Sequence, residues 1–306
     1  MMIDKRNAAR MNIFFCADSF AFEGLGIALI SMIRNCSDSE QLKIWILCSN
    51  TTKKDEENVN QLLIFEDFKG ETEFIYFDAE KEFPQFRNWQ GNKLTYGRFL
   101  IPDILKTGNA FYLDADIVVN LDILTLQNFV SDKLIGAVER YKFHNAFETD
   151  FLLNKLHLNP ETSYFNAGIL IINADVWHKE NISEKLFEMA NRYPDDLIQV
   201  DQTMLNILCN GNYTQIPEKD NYLFSRIQNS LNGTNEKIIH FVSSPKPWDI
   251  FGKIYKRYDC WEAYQTPFWK SCYKTFTKTK IKNAWSKKEK IAKYLLKSML
   301  KPNNDN

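Results

Sequence analysis

The chain has 306 residues, of which 44% are hydrophobic, 14% aromatic and 25% charged. This suits one large domain, or one domain with an appendage, and supplies a sizeable core, which excludes a disordered chain. The net charge of −1 conceals eleven lysines against two acids from Lys270 onward, a net +9 that leaves −10 on the rest; the acidic body argues against nucleic acid, and the basic tail points to an anionic surface.

Residues 1–10 are polar and read as a loose N-terminus. The patterning predicts a strand over Met11–Ala17, a helix over Phe22–Asn35 (Leu25, Leu29, Met32 and Ile33), a strand over Leu42–Cys48, a helix over Lys53–Phe65 and a strand over 73–77. Residues 96–105 read as helical apart from Pro102, and 110–113 as a fourth strand. Beyond them, 168–173 reads as a buried strand, Ile182–Arg192 and 199–209 as helices, and 237–241 as a late strand. The β-α-β-α-β order predicts an α/β fold with a mostly parallel central sheet, helices on both faces and ligands bound beyond the carboxyl ends of the strands. The catalytic domain would run over 11–250, and 251–306 would be an aromatic hinge followed by a basic, helical, Lys-rich C-terminal tail.

The run Phe111-Tyr-Leu-Asp-Ala-Asp-Ile-Val-Val119 reads as a buried strand carrying two carboxylates. Unpaired buried charge is costly, and alternation sets positions i and i+2 on one face. Asp114 and Asp116 can therefore point at one spot, and two hard oxygen ligands suit Mg²⁺ or Mn²⁺ with a bound diphosphate. The alternative is a strand end that simply reaches water. Asp18, after the first strand, lies at the same edge, where its carboxylate can accept from a ligand or cap the helix starting near Phe22.

Six segments stand in a fixed order: Cys16-Ala-Asp18, Leu94-Thr-Tyr-Gly-Arg98, Asp114-Ala-Asp116, Tyr164-Phe-Asn-Ala-Gly-Ile-Leu-Ile-Ile-Asn173, Gln199-Val-Asp-Gln-Thr-Met-Leu-Asn206, and His240 followed by Lys246-Pro-Trp248. Over residues 11–250 this set resembles the retaining glycosyltransferases of family 8, which include bacterial lipooligosaccharide galactosyl- and glucosyltransferases and, more distantly, the glycogenins. The resemblance implies a GT-A fold, a UDP-sugar donor, a divalent metal and transfer with retained anomeric configuration. It implies that Ala17 and Asp18 contact uracil and ribose, that Arg98 reaches the phosphate and sugar, and that Asp114, Asp116 and His240 hold the metal. Asn166, Ala167 and Gly168 would line the donor sugar, Asp201 and Gln202 would face the reacting sugar, and Lys246 would contact the diphosphate.

Residue chemistry stands beside each role. Arg98 offers a fork of donors suited to phosphate, or is a surface helix arginine. Imidazole beside carboxylates suits Mn²⁺, with Mg²⁺ as the alternative. Lys246 is a point charge that can neutralise a leaving diphosphate. Gly168 admits a close backbone approach, or belongs to the turn leading into the strand. Asp201 and Gln202 are the candidates for a nucleophile, or are first-turn helix residues; same-face attack assisted by the leaving phosphate is favoured over double displacement.

The chain departs from the pattern in three places. Phe20 or Phe22 would have to stack on uracil out of register, Ser243 stands where a glycine is usual, and Glu139-Arg140 follows Leu134-Ile-Gly-Ala-Val138 where relatives carry an Asp. The six cysteines lack Cys-x-x-Cys pairing and read as reduced thiols of a cytoplasmic protein. No apolar run reaches the roughly 18 residues of a membrane span, and no signal peptide is apparent. Residues 280–300 form a basic amphipathic stretch (Ile281, Trp285, Ala292, Leu295 and Met299 against Lys287, Lys290, Lys293 and Lys297), suited to docking on an anionic membrane, to a partner chain, or to solvent.

The resulting expectation is a metal-dependent enzyme, peripheral at the inner membrane face, that moves galactose or glucose from UDP to a glycan or lipid-linked acceptor, as in lipopolysaccharide synthesis. A haloacid dehalogenase-type phosphatase is disfavoured by Ile117, since that motif wants Thr after its second acid. A sugar-nucleotide-binding protein with lapsed catalysis is the non-enzyme alternative.

Overall fold

The computed structural model describes residues 10–89, 91–130, 132–224, 235–242, 244–255, 258–286 and 288. The first half runs β1 (Met11–Ala17), α1 (Phe22–Asn35), β2 (Leu42–Cys48), α2 (Lys53–Phe65), β3 (Glu71–Tyr76), α3 (Ala79–Glu82), a 3-10 turn (Leu94–Leu100), α4 (Ile101–Leu105), β4 (Asn109–Leu113) and β5 (Ile117–Val119). The second half runs β6 (Ile135–Ala137), β7 (Glu139–Lys142), β8 (Ser163–Phe165), β9 (Ile169–Asn173), α5 (Ala174–Lys179), α6 (Ile182–Arg192), α7 (Val200–Cys209), β10 (Thr214–Gln215), β11 (Tyr222–Leu223) and β12 (Ile238–His240). The helices α8 (Ile250–Tyr255), α9 (Asp259–Glu262), α10 (Pro267–Cys272) and α11 (Lys278–Ser286) follow.

The main sheet has seven strands in the order β10-β6-β9-β4-β1-β2-β3. Its β4-β1-β2-β3 half is parallel, while β9 runs antiparallel to both β4 and β6. The predicted α/β fold with a mostly parallel sheet is therefore present. Its near-continuous apolar strands, Ile13 to Ala17 and Ile169 to Ile172, are buried as two-faced strands must be. Helix α1 is buried almost throughout, and α2 opens with a capping box between Thr52 and Asp55.

The strand predicted over 110–113 is present as β4, with the two acids beyond its end; the chain leaves the main sheet at 114–116, and β5 joins a three-stranded one, β11-β12-β5. One local reading is corrected. Pro102 does not interrupt a helix. It lies in the first turn of α4, where no N–H is needed.

The stretch read as an aromatic hinge packs onto this same core. Trp269 is fully buried over Gly26 and donates to the Glu23 carbonyl at 2.9 Å. The Tyr264 hydroxyl bonds Asn120 at 2.7 Å and accepts from Asn35 at 2.8 Å. Lys280 of α11 pairs with the buried Glu23 carboxylate.

Asp220, in the 3-10 turn Glu218–Asn221, is fully buried, and neither of its carboxylate oxygens has a hydrogen-bond partner among the described residues. Burial, only partly offset by Lys219, pushes its pKa up to about 6. With a folded pKa above the unfolded one, the folded chain holds the proton more tightly, so this group's contribution to stability falls as pH rises through about 6. Asp220→Asn is expected to raise Tm at pH 8 by about 2–4 °C and to change it little near pH 3.5, below the ordinary carboxyl value; thermal melts at both pH values check this.

Candidate active site

The loops following β1 and β4, the Leu94–Leu100 turn and the segment carrying Lys246 and Trp248 meet around one open pocket. On its floor, one donor atom from each of Asp114, Asp116 and His240 lies within 4.8 Å of the other two. Imidazole Nε2 of His240 is 3.5 Å from Asp114 Oδ2 and 3.2 Å from Asp116 Oδ1. Strand register produces this meeting. β12 pairs antiparallel with β5 so that His240 faces Ile117, and the Phe241 N–H donates to the Asp116 carbonyl at 2.9 Å. On the other side the Asp114 N–H donates to the Gly168 carbonyl at 2.8 Å.

Gly168 is the close approach that lets the cluster form. A Cβ there would lie 2.0 Å from His240 Cε1 and 2.8 Å from Asp114 Oδ2. The space above Gly168, read from sequence as room for a sugar, is thus filled by the imidazole. Burial alone would lower the His240 pKa, but Asp116 and Asp114 outweigh it and hold the ring's pKa above its usual value. Burial alone would raise Asp116, but Lys246 and His240 hold it well below the carboxylate range. The Lys246 ammonium contacts Asp116 and donates to the Phe241 carbonyl at 2.7 Å. Two carboxylates and an imidazole aimed at one point fit a divalent metal ion.

Arg98 is buried between two acids. It pairs with Asp114 at 3.1 Å and Asp201 at 3.0 Å, lies over the Tyr112 ring at 4.2 Å, and donates to Thr95, Tyr112 and the Ala167 carbonyl. Burial opposes its charge; Asp201, Tyr112 and Asp114 more than restore it. The guanidinium borders the pocket, yet each of its nitrogens already has a protein partner, so it braces the acids. Asp201, 4% exposed, also accepts from the Thr95 hydroxyl. Burial raises its pKa, with Arg98 opposing.

Asp18 takes the helix-entry role and borders the pocket. Its Oδ1 accepts from the Phe20 and Ala21 N–H groups at 3.0 and 2.9 Å, which turns the chain into α1, and its Oδ2 accepts from Asn92 at the pocket. Burial raises its pKa. Ala17 is fully buried behind it. Gln202 accepts through Oε1 from Asn166 Nδ2 at 2.9 Å and the Ala167 N–H at 3.0 Å. Phe20 reaches the pocket, whereas Phe22 is core; Ser243 lies outside the described residues.

Sequence reasoning missed Trp89 and Asn92 on the pocket wall, Tyr112, and Asn221. Tyr112 was within reach of strand alternation, which sets it on the side of Asp114, and its hydroxyl donates to that carboxylate at 2.6 Å. Asn221 carries no local signal.

A mostly parallel α/β sheet with acids and a histidine gathered beyond its strand ends defines the GT-A class of fold. A family model described as glycosyl transferase family 8 matches residues 12–251, and the chain belongs to that family. It is 25% identical over 258 residues to General stress protein A of Bacillus subtilis, covering 78% of this chain and 87% of that protein. It is 26% identical over 260 residues to the lipopolysaccharide 1,3-galactosyltransferase of Salmonella typhimurium, covering 80% and 75% respectively. Against the longer glycosyltransferase GlyE of Streptococcus pneumoniae, identity is 24% and the match spans 63% of that protein. The structure is similar to that of the galactosyltransferase LgtC, solved with donor and acceptor sugar analogs, with a TM-score of 0.70, 20% identity, and 86% of this chain and 100% of that chain covered.

Proposed function

We propose that this chain is a metal-dependent, retaining hexosyltransferase that moves galactose or glucose from a UDP-sugar to a glycan or lipid-linked sugar acceptor in surface-glycan synthesis. The observation that carries the reading is the convergence of Asp114, Asp116 and His240 beside Lys246, on a chain of glycosyl transferase family 8. Asp114, Asp116 and His240 would hold Mn²⁺, or Mg²⁺ as the alternative. That ion, when bound, supplies charge stabilisation at the departing diphosphate. Lys246 exchanges its contact with Asp116 for the same phosphate. Asp18, on the pocket wall with Phe20 and Asn92, would meet the nucleoside, with Ala17 buried behind it.

In the reaction the bond from anomeric carbon to phosphate oxygen breaks and the bond to the acceptor oxygen forms, through an oxocarbenium-like state. The Asp201 carboxylate is held by Arg98 and Thr95, and the Gln202 carbonyl oxygen already accepts two hydrogen bonds. Neither is a free nucleophile. This supports same-face attack, with the acceptor hydroxyl proton passing to the departing phosphate, while Asp201 and Gln202 orient the sugar with Asn166 and Ala167. The test is UDP release from a panel of UDP-sugars with and without Mn²⁺. Metal-dependent release from one sugar supports the reading, and nucleotide binding without release under any acceptor would replace it with a binding protein.

The same reading places the enzyme peripherally at the inner membrane face through its tail. No helix among the described residues is long and apolar enough to cross a membrane. Phe276, Ile281 and Trp285 are exposed, and Lys288 lies over the Trp285 ring at 4.3 Å, an amphipathic pattern suited to an anionic bilayer. Lys287, Lys290, Lys293 and Lys297 lie outside the described residues. Removing residues 287–306, which takes away six lysines but leaves Ile281 and Trp285, is expected to weaken sedimentation with anionic vesicles while activity on a soluble acceptor persists. Equal sedimentation of both forms would refute the anchor. A cut at 276 also strips Lys280 from the buried Glu23, so it is expected to lower Tm as well.

A further inference from the structure

Behind the cluster, five side chains form one row of hydrogen bonds. His240 Nδ1 is 3.0 Å from Asn221 Oδ1. Asn221 Nδ2 donates to Asn166 Oδ1 at 2.9 Å, Asn166 Nδ2 to Gln202 Oε1 at 2.9 Å, and Gln202 Nε2 to Gln199 Oε1 at 2.9 Å. Gln199 Nε2 lies 3.4 Å from Glu148 Oε2 and 3.0 Å from the Tyr141 hydroxyl. Glu148, 2% exposed, accepts from the hydroxyls of Tyr164 and Thr203, both at 2.6 Å.

The row has a direction. An amide side chain can be turned end for end, so its orientation is set by partners that can act only one way. Backbone N–H groups can only donate. Those of Gly168 and Ala167 fix the oxygens of Asn166 and Gln202, at 3.0 Å each. Gln202 Nε2 then fixes the oxygen of Gln199, whose nitrogen turns to Glu148 and the Tyr141 hydroxyl. With Asn166 Oδ1 fixed as acceptor, Asn221 must present its nitrogen there and its oxygen to His240. An oxygen facing Nδ1 requires a proton on Nδ1, which leaves the Nε2 lone pair for a ligand on the side of Asp114 and Asp116. Asn221 is fully buried and His240 is 3% exposed, so water does not compete for these contacts.

We infer that Asn221 is the positioning residue of the cluster: aligned by Asn166, in a row that runs on through Gln202 and Gln199 to Glu148, it leaves His240 Nε2 bare for the metal ion and ties that ligand to the donor-sugar side chains. The inference rests on the proposed metal role of Asp114, Asp116 and His240. Metal-bound histidines are commonly held through their other ring nitrogen, and loss of that partner weakens metal binding by about 10–100-fold.

The experiment measures free Mn²⁺ by electron paramagnetic resonance while the full chain is titrated in the presence of UDP, with a thermal melt of each variant. Asn221→Leu is expected to weaken Mn²⁺ binding by about 10–100-fold. Asn221→Asp keeps an oxygen at Nδ1 but loses the donor to Asn166 Oδ1, so it should recover part of the affinity, a rescue that a merely packing role would not give. A folded Asn221→Leu chain with wild-type affinity would overturn the inference, as would an Asn221→Asp chain as weak as Asn221→Leu. If Asn221→Leu does not fold, wild-type affinity in a folded Asn221→Ala chain overturns it. Should the wild type bind Mn²⁺ and Asp116→Asn lose it while Asn221→Leu is unchanged, the metal reading survives and only this inference falls. A wild type that binds no Mn²⁺ with UDP removes both.

Discussion

Asp116→Asn is expected to lower metal-dependent UDP release by about three orders of magnitude, the scale of the several kcal/mol that a bound ion contributes at a departing phosphate. The substitution keeps the side chain's shape. It leaves the backbone bond from Phe241 to the Asp116 carbonyl intact, so the chain should remain folded. Lys246, half-buried at the pocket, retains the Phe241 carbonyl. What is lost is the oxygen 3.2 Å from His240 Nε2 and the charge that Lys246 pairs with. Turnover titrated against Mn²⁺, with a parallel thermal melt, measures both parts. Unchanged manganese-dependent turnover in a folded variant would sink the metal assignment.

Gly168→Ala should be nearly as damaging, for a different reason. Its Cβ would stand 2.0 Å from His240 Cε1 and 2.7 Å from Nδ1, well inside contact distance. The backbone cannot yield easily, because the Gly168 carbonyl accepts from the Asp114 N–H and the Gly168 N–H donates to Asn166. The imidazole must therefore turn away, losing Asn221 and the two carboxylates together. Overpacking of this kind costs about 1–3 kcal/mol, a fall in Tm of roughly 2–4 °C per kcal/mol for a chain of this size class. Mn²⁺ affinity in the presence of UDP should fall with it. If the glycine served instead to admit the donor sugar, alanine would raise the donor KM and leave Mn²⁺ affinity unchanged, so one titration separates the two roles.

Much of this was legible in the chain itself. Strands β1 and β2 and helices α1 and α2 follow from uninterrupted apolar runs and helical spacing, and they lie over the predicted residues. The acidic pair 114/116, the segment 166–168, the pair 201/202 and the His240 and Lys246 positions all sit next to strand or helix ends, where ligand-facing residues belong. Less legible was anything decided by two distant segments at once. Arg98 reads locally as a fork of donors free for phosphate, yet folding inserts it between Asp114 and Asp201. Gly168 reads as room for a ligand, yet β12 brings His240 into that room. The aromatic hinge from Tyr255 to Trp269 reads equally as core, as an acceptor shelf or as an interfacial belt, and the fold decides for core at Trp269, which fills the socket that Gly26 leaves.

By itself, then, the sequence determined the α/β class, the element order and the residue types able to bind a nucleotide sugar, because hydrophobic period and strand-end chemistry are local properties. Tertiary structure alone decided that the 111–119 run breaks between two sheets, that Gly168 serves the histidine, and that an amide row runs from Asn221 to Glu148. These depend on strand register and on contacts between residues tens of positions apart, and no local pattern encodes which buried polar group will find which partner.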